Sequence, residues 1–385
     1  MEYRILGKTG LKVGTVGLGT EFLDKKPYEI VEETVHAAME QGVNFMDNFL
    51  PGDQNRINVG KAIAGHRDKW IIQGHLCCTE LDKNNQFDIT RDLEICKKFW
   101  DDYFKFMDID YVDIGNLFFV DTEEDYKAIF ETELIEYVLK EKERGRIRYL
   151  GASSHNAKIA RKMIETGLLD VLMFSINPGY DMLPTEMPLG QAIRQVTTEV
   201  KKNQGVQPER KALYDLCASK EIGVIAMKTL GVGKLLSAEF TPFQRPLTVG
   251  QCIHYALDRP GVATVVIGYE SREHVLDAVN YFNLSAEEKD YSDAISEYHN
   301  NFMGQCVYCN HCLPCPSEID IAAVHRYLDI AKIKAAEIPH GVRHHYAALS
   351  RHASDCIACG SCERKCPFGV KVISNMREAA SLFGN

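Results

Sequence analysis

Two short runs of cysteine near the C-terminus restrict the structure of this chain more than any other feature. The runs are Cys306-x2-Cys309-x2-Cys312-x2-Cys315-Pro316 and Cys356-x2-Cys359-x2-Cys362-x3-Cys366-Pro367. Such spacing lets one tight turn supply three thiolates to a single iron–sulfur cubane. Paired runs of this kind hold two [4Fe-4S] clusters, each bound by three cysteines of one run and the last cysteine of the other. We therefore predict a small C-terminal domain that binds two clusters.

The crossed pattern predicts the ligands of each cluster. The first cluster is expected to bind Cys306, Cys309, Cys312 and Cys366, and the second Cys356, Cys359, Cys362 and Cys315. The first run is one residue shorter than the usual spacing before its proline, which slightly weakens the crossing assignment. Two structural zinc sites are the alternative, although zinc sites normally use pairs of cysteines rather than four closely spaced ones.

Length, charge and hydropathy indicate how many domains the chain has, which partners are unfavourable and where the protein is located. Its 385 residues exceed the usual size of one hydrophobic core, which favours one large domain and a small one. The formal net charge of −10 disfavours nucleic acid or an anionic membrane as a partner, because such partners normally meet a basic face. The sequence shows neither an apolar run that could span a membrane nor an N-terminal secretion signal. We expect a cytoplasmic protein whose thiols stay reduced.

Short β-branched or apolar runs alternate with longer helical patterns from residue 13 to about residue 285. This alternation is typical of repeated βα units around a parallel sheet. Eight units over this length favour a (β/α)8 barrel, whereas an open doubly wound sheet normally has fewer strands. The predicted strands are Val13–Gly17, Asn44–Asp47, Trp70–Gly74, Tyr111–Asn116, Arg148–Gly151, Val171–Ser175, Gly223–Met227 and Thr264–Ile267.

Two connecting segments and one boundary are predicted in more detail. Apolar residues recur at helical spacing between Pro27 and Gly42, which indicates a helix there. The segment from Asn177 to Arg210 holds four prolines and is interpreted as a loop over the barrel mouth, or as a disordered insertion. The βα pattern ends near Asn283. We therefore predict a barrel domain over residues 1–285 and a ferredoxin-like domain of helices and loops over residues 286–385.

Five segments of the barrel region together resemble the aldo-keto reductases. They are MEYRILGKTGLKVGTVGLGT, GVNFMDNFLPGDQNRINVGKAI, GRIRYLGASSH, GVIAMKTLGVGKL and GVATVVIGYESREHV. With the first cysteine run, the chain is similar to the branch of that family, found largely in anaerobic bacteria, that carries a C-terminal two-cluster domain. The resemblance implies an α/β fold of the TIM-barrel type with NADPH across the carboxyl ends of the strands. It also implies hydride transfer to a carbonyl, with a tyrosine as proton donor.

Most catalytic residues of that family are replaced in this chain. The family motif D-T-A-x-x-Y-G-x-S-E-x-x-L-G aligns with Asp47–Gly60, which keeps the aspartate but has Gly52 at the tyrosine position. His75 stands where strand three normally ends in lysine, and Phe118 replaces the histidine after strand four. Glycine offers no proton, so the mechanism of the family cannot operate unchanged.

Asp47 and His75 remain as candidates for acid–base catalysis. A histidine side chain exchanges protons near neutral pH, and Asp47 is expected to lie close enough to orient the ring. The alternative is that His75 only fills the space of the missing lysine in an inactive site. Asn116, Tyr180 and Lys228 are expected to line the pocket.

Several positions match the cofactor contacts that the resemblance implies. The residues expected to contact NADPH are Ser153, Ser154, Asn177, Met227, Lys228, Leu230, Gly268, Ser271 and Asp277. Met173 replaces a glutamine, and Ala278 replaces an asparagine that usually meets adenine, so binding of NADPH stays open. A Schiff-base role is the alternative for Lys228 if that lysine is desolvated.

One main hypothesis of function and two alternatives follow. The main hypothesis is an iron–sulfur oxidoreductase that binds a small organic carbonyl or hydroxyl substrate and exchanges single electrons with a partner such as ferredoxin or flavodoxin. An isomerase or lyase that uses Asp47 and His75 without hydride transfer is the first alternative. A non-enzymatic electron carrier or redox sensor is the second, favoured by the replacements at Gly52 and Phe118.

Overall fold

The computed structural model describes residues 1–80, 87–200, 206–295, 303–304, 306–333, 338 and 340–384. The chain divides into two compact units. The first unit comprises Met1–Ser175, Ile222–Met227 and Ala263–Phe282, and the second comprises Ile176–Glu221, Lys228–Val262 and Asn283–Asn385. Each unit therefore draws on separate stretches of sequence. The domain boundary after residue 285 stays a prediction.

Eight of the twelve β-strands in the described residues close a barrel. In chain order the strands are β1 (Tyr3–Ile5), β2 (Lys12–Gly14), β3 (Val16–Gly19), β4 (Phe45–Asn48), β5 (Ile71–Leu76), β6 (Cys78–Glu80), β7 (Phe87–Ile89), β8 (Val112–Leu117), β9 (Ile147–Ser154), β10 (Val171–Ser175), β11 (Gly223–Met227) and β12 (Val262–Gly268). The barrel order is β3-β4-β5-β8-β9-β10-β11-β12, and β12 pairs with β3 in parallel to close it. This topology confirms the predicted (β/α)8 barrel, and the open sheet is wrong.

Sixteen α-helices occur in the same described residues. They are α1 (Tyr28–Glu40), α2 (Asp53–Ile63), α3 (Leu93–Met107), α4 (Glu123–Phe130), α5 (Glu133–Glu143), α6 (Ala157–Glu165), α7 (Pro178–Asp181), α8 (Leu189–Glu199), α9 (Pro208–Ser219), α10 (Val249–Leu257), α11 (Arg272–Val279), α12 (Ala286–Lys289), α13 (Ile321–Ile333), α14 (His340–Ala347), α15 (Ser361–Lys365) and α16 (Val372–Phe383). Helix α1 confirms the helix predicted between Pro27 and Gly42.

The segment from Asn177 to Arg210 is largely helical where the structure describes it, so its interpretation as a loop or disordered insertion is wrong there. It contains α7 and α8 and the first residues of α9, while residues 201–205 lie outside the described residues. The prolines mislead because Pro178, Pro188 and Pro208 stand at helix starts. At that position a proline costs no hydrogen bond, since the first helical N–H groups have no partner within the helix.

The first predicted strand, Val13–Gly17, is divided between two elements. Val13 belongs to β2, which pairs with β1 in an antiparallel hairpin, and the barrel strand begins only at Val16. The amide of Thr15, between them, donates to the carbonyl oxygen of Glu2 at 2.9 Å. The apolar run continues through this break, which is why the pattern alone does not reveal it.

The amino-terminal hairpin packs against the N-terminal end of the barrel. Leu6 is fully buried in a core cluster with Val171 and Ile225, which lie on β10 and β11. Gly223 opens β11 where Leu6 leaves no space for a side chain, because a Cβ there would lie 2.6 Å from Leu6 Cγ. The hydroxyl of Tyr149 adds a hydrogen bond of 2.7 Å to the carbonyl oxygen of Thr9. Active sites of such barrels lie at the opposite, carboxyl ends of the strands.

The second unit has its own apolar core. Helix α13 packs against α9, α14 and α16. Ala218 of α9, together with Ile330, Ala331, Ile338 and Val342, forms one buried cluster. No helix of the described residues is long and apolar enough to cross a bilayer.

Candidate functional site

Polar side chains meet inside the barrel at the carboxyl ends of three neighbouring strands. Asp47 lies on β4, Gln73 and His75 lie on β5, and Asn116 lies on β8. The register pairs Asp47 with Gln73 and His75 with Asn116. Gln73 and His75 share a face of β5 because side chains alternate along a strand. All four residues are buried.

Both nitrogens of His75 contact protein groups. Nε2 lies 2.7 Å from Asp47 Oδ1, which also accepts a hydrogen bond of 2.6 Å from Gln73 Nε2. Nδ1 lies 3.2 Å from Asn116 Nδ2. Because the Asn116 amide donates to Nδ1, the ring proton resides on Nε2 and is donated to Asp47. The predicted proximity of Asp47 to His75 is thus present in the structure, and their catalytic role stays a prediction.

An aromatic cover lies against the His75 ring and consists of Phe49, Phe87 and Phe118. The rings of Phe49 and Phe118 stack with centroids 5.4 Å apart, and each meets His75 edge-on at 5.8 and 5.5 Å. Phe87 contacts both rings edge-on and is 39% exposed. Phe118, at the histidine position of the family, is therefore a wall of the site rather than a proton carrier.

Gln73 is a member of this site that sequence reasoning missed. Its amide nitrogen binds Asp47 and lies 3.2 Å from Met173 Sδ, and its Oε1 has no partner among the described residues. A polar residue two positions before His75 on a buried strand was the available signal. Gly52, at the tyrosine position, begins α2 and brings no side chain to the site.

The two serines expected at the nicotinamide already make hydrogen bonds within the first unit. Ser153 Oγ accepts from the Phe119 amide at 2.8 Å. Ser154 Oγ donates to Asp121 Oδ1 at 3.0 Å and accepts from the Asn156 amide at 3.1 Å. These hydrogen bonds stabilise the turns after β8 and β9, so both hydroxyls have a structural role.

The expected cofactor residues of the second unit are engaged in the same way. Asn177 begins α7, where Oδ1 accepts from the Tyr180 amide and Nδ2 donates to the Lys228 carbonyl oxygen, both at 2.8 Å. Lys228 and Leu230 are half-buried, and Lys228 has a positive φ of 54°. Burial raises the pKa of Tyr180, whose hydroxyl has no partner among the described residues. Tyr180 is thus a buried phenol that stays protonated.

The remaining cofactor positions lie in the first unit. Met227 ends β11 and is half-buried. Gly268 ends β12 beneath the ring of Phe22, which lies so close that a Cβ on Gly268 would be 2.3 Å from it. Ser271 precedes α11, which contains Asp277. A hydrogen bond from Ser271 holds the pKa of Glu273 below its usual value.

The eight cysteines line two separate cavities in the second unit, divided as the crossed pattern predicts. Cys306, Cys309, Cys312 and Cys366 line a space of about 340 Å³. Cys315, Cys356, Cys359 and Cys362 line a space of about 370 Å³. The described residues hold no group of three or more His, Cys, Asp or Glu arranged around a single metal ion. We call these spaces the first and second cluster cavities.

The walls of both cavities suit an iron–sulfur cluster. Besides cysteines, the first contains Val307, Tyr308, Phe368 and Val370, and the second contains Ile319, Ile321, Ile373 and Met376. Burial raises the pKa of Cys309 to about 12, so its thiol is protonated until a metal displaces the proton. Four cysteines in a largely apolar wall suit a [4Fe-4S] cluster.

Two family profiles match the chain. That of the aldo/keto reductase family matches residues 11–246, and that of a 4Fe-4S dicluster domain matches residues 305–371. No curated protein matches significantly.

Solved structures share the barrel fold. AKR11C1, an aldo-keto reductase of Bacillus halodurans in its holo form, is 21% identical, with a TM-score of 0.58 over 77% of this chain and 96% of that chain. A protein of Pseudomonas aeruginosa described as an aldo-keto reductase is 17% identical, with a TM-score of 0.55 over 73% of this chain and 95% of that chain. At such identities the likeness shows the fold alone.

Proposed function

Because the chain belongs to the aldo/keto reductase family and carries a 4Fe-4S dicluster domain, we propose that it is an iron–sulfur oxidoreductase acting on a small organic carbonyl or hydroxyl substrate. In this proposal His75 transfers a proton to or from the substrate and Asp47 orients the His75 ring. Two clusters exchange single electrons with a ferredoxin or flavodoxin. The supporting observation is the position of His75, which lies between Asp47 and Asn116 at the carboxyl ends of the strands.

The side-chain amide of Asn116 can pair with His75 Nδ1 in either of two orientations. With its nitrogen toward Nδ1, that ring nitrogen is the acceptor, and Asn116 Oδ1 has no partner among the described residues. A half-turn of the amide would present Oδ1 to a protonated Nδ1. Asp47 would then stabilise the imidazolium through Nε2. His75 could gain a proton in this way, and a substrate carbonyl oxygen that took the place of the Asn116 amide at Nδ1 could then accept it.

The cysteines of each cavity would hold one cluster. When bound, a [4Fe-4S] cluster accepts and releases one electron. The chain would supply the thiolate ligands and largely apolar walls. Arg364 donates to the Cys359 carbonyl oxygen at 3.2 Å, and Lys365 donates to the Leu313 carbonyl oxygen at 3.1 Å, which orients the ligand-bearing turns.

The residues expected to contact NADPH suit that cofactor less well than the cysteines suit iron–sulfur clusters. Ser153, Ser154 and Asn177 are engaged in hydrogen bonds within the protein, and Phe22 covers Gly268. A nucleotide would have to displace these contacts in order to bind.

The test is an anaerobic titration of the reconstituted protein with NADPH and then NADH. Calorimetry follows nucleotide binding, and visible absorption follows cluster reduction. Reduction of the clusters by dithionite, with turnover of a carbonyl substrate, supports the proposed function. Micromolar nucleotide binding would add hydride transfer to it, and bleaching of the clusters by the nucleotide would show coupling. Clusters that form but support no turnover with any carbonyl or hydroxyl compound would contradict the proposal.

The aromatic cover favours one alternative, an electron carrier or redox sensor. His75 is only 4% exposed beneath Phe49 and Phe118, so a substrate reaches it only if the cover moves. Reducible clusters with an inert barrel would support this reading. An isomerase or lyase would instead give turnover in a protein whose clusters are kept oxidised.

A further inference from the structure

A buried arginine fixes the turn that carries the first two cysteines. Arg259 follows α10 and is 7% exposed. Its Nη2 donates to the Val307 carbonyl oxygen at 3.0 Å and to the Tyr291 hydroxyl at 3.1 Å, and its Nε donates to the Tyr255 carbonyl oxygen at 3.1 Å. The Tyr291 hydroxyl donates to the same Val307 oxygen at 2.6 Å. The residue directly after Cys306 is therefore held by a cation.

This cation forms an ion pair with no carboxylate in the described part of the chain. Asp181 and Asp258 lie near enough for their charges to raise the pKa of Arg259, but each accepts a hydrogen bond from another arginine, Arg210 and Arg326 respectively. The remaining contacts of Arg259 are with the rings of Tyr255 and Tyr308, whose centroids lie 4.2 and 5.3 Å away. A guanidinium stays charged when buried, and a buried charge is costly unless an opposite charge compensates for it.

We propose that Arg259 is the counter-charge of the cluster in the first cavity and raises its reduction potential above that of the second. This inference rests on the proposed function. A cluster bound by four thiolates is anionic and becomes more negative on reduction, so a fixed cation favours the reduced form. Two carboxylates act in the opposite direction: Asp329, which accepts from the Tyr308 hydroxyl at 2.6 Å, and Asp290, whose charge adds to the effect of burial in raising the pKa of Cys309. Both are half-buried, where solvent screens them.

The second cavity differs in this respect. The arginine that contacts its Cys356–Cys359 turn is Arg364, and that hydrogen bond is exposed to solvent. Water screens such a charge far more than it screens Arg259. Electrons are therefore expected to settle on the first cluster.

A potentiometric titration followed by electron paramagnetic resonance tests this role. We expect Arg259→Met to lower the potential of one cluster by at least about 59 mV, a tenfold change in the ratio of reduced to oxidised cluster. Arg259→Lys, which keeps the charge, and Tyr291→Phe, which removes only a hydroxyl, should each shift it by less. An unchanged potential in Arg259→Met overturns the proposal.

The order of the wild-type potentials gives a second test that does not need a stable Arg259 variant. Cys359→Ala should retain only the first cluster, and that cluster should titrate at the higher of the two wild-type potentials. Titration at the lower value overturns the counter-charge role. Wild-type protein that binds no cluster contradicts the proposed function itself, which distinguishes the two failures.

A separate observation concerns the surface at the second cavity. Ile357 is 67% exposed, and Cys359 is the exposed member of the eight cysteines, whereas Cys309 is 7% exposed. Residues 351–371 contain four lysines and arginines but two acidic residues, in a chain with a net charge of −10. Arg364 and Lys365 of this group contact the turns that carry Cys359 and Cys315.

We infer that this surface, formed by Ile357, Cys359, Arg364 and Lys365, receives electrons from an acidic ferredoxin. This inference also rests on the proposed function. An exposed apolar residue supplies contact area beside the cluster, and flanking cations attract an acidic carrier over distance. A carrier bound at this surface would lie next to Cys359, through which an electron would have a short path to the second cluster.

Stopped-flow reduction by a purified, photoreduced acidic ferredoxin tests the surface. The double variant Arg364→Glu/Lys365→Glu should slow bleaching of the clusters about tenfold at low salt, and added salt should narrow the difference. The matched control is Arg161→Glu/Lys158→Glu on α6, which should leave the rate unchanged. Equal rates for both double variants overturn the docking surface. If dithionite also reduces the Arg364→Glu/Lys365→Glu variant more slowly, its clusters are damaged and the Ile357→Ser variant replaces it in the test. Ile357→Ser should lower the rate of reduction by ferredoxin but not by dithionite, and an unchanged rate with ferredoxin overturns the docking surface.

Discussion

The amide nitrogen of Asn116 lies 3.2 Å from Nδ1 of His75, on the side of the ring away from Nε2. This contact sets the tautomer of His75, since a donor at Nδ1 leaves the proton on Nε2. His75 thus lies between polar groups, Asp47 and Asn116, and beneath the rings of Phe49 and Phe118.

Replacing His75 should abolish turnover without loss of the clusters. We expect His75→Ala to lower kcat by about 10²-fold to 10⁴-fold, the usual share of a positioned proton donor. Turnover is measured with reduced protein, and visible absorption reports the clusters. Full activity in this variant would show that His75 has no catalytic role.

Asn116→Leu should lower kcat while His75 remains in place. Leucine cannot donate to Nδ1 or accept from it, so the two protonation states of the ring lose their common partner. We expect a decrease of about tenfold or more in kcat, with little change in KM. A change confined to KM would instead assign Asn116 to substrate binding.

Cys359→Ala should remove one cluster and leave the other. Iron content is expected to fall from about eight to about four atoms per chain, with loss of one of two paramagnetic signals. Cys217→Ala is the matched control, because Cys217 is a fully buried thiol on α9 and lies in neither cluster cavity. Loss of both clusters would indicate that the second one is needed to assemble the first.

The buried carboxylate of Asp181 should be essential for the stability of the second unit. It accepts hydrogen bonds from Arg210 at 2.8 Å, Tyr214 at 2.5 Å and Tyr255 at 2.8 Å. Asp181→Ala should cost about 3–5 kcal/mol, because the buried Arg210 loses the carboxylate that compensates its charge. Glu94→Ala, which breaks an exposed pair with Lys97, should cost less than about 1 kcal/mol. Urea unfolding of anaerobic protein compares the two variants.

Cys78 should resist alkylation in the folded protein. Burial raises its pKa to about 12, so roughly a thousandfold less thiolate is present at pH 8 than for an exposed cysteine. The labelling rate should rise about tenfold per pH unit below that pKa, because only the thiolate reacts. The labelling rate of Cys78 is measured by mass spectrometry after iodoacetamide treatment, and protein unfolded in urea is the control. Rapid labelling at pH 8 would make Cys78 a candidate reactive thiol.

The barrel was predictable from the sequence because the alternation of strand and helix patterns repeats eight times. Seven of the eight predicted strands overlap barrel strands directly, while Val13–Gly17 covers both β2 and the start of β3. The helices after Asn177 were not predictable in the same way. Proline breaks a helix in its interior but is tolerated at its first turn, and composition does not distinguish these positions.

The site was predictable only in part. The contact between Asp47 and His75 follows from two adjacent strands that end at the same edge. Gln73 was missed because a buried glutamine in an apolar strand has no motif. The aromatic cover was missed because Phe49, Phe87 and Phe118 are far apart in sequence and meet only in the folded chain.

The second unit contains α9 and α10, which lie between barrel strands in chain order, as well as everything after Asn283. A cut after residue 285 would therefore not release an intact second unit, and would remove from α9 its packing partner α13. Cluster assembly and folding of this unit are thus expected to be one event. The amount of this protein in a cell should then follow iron supply, because chains that lack clusters would be removed by proteases before they accumulate.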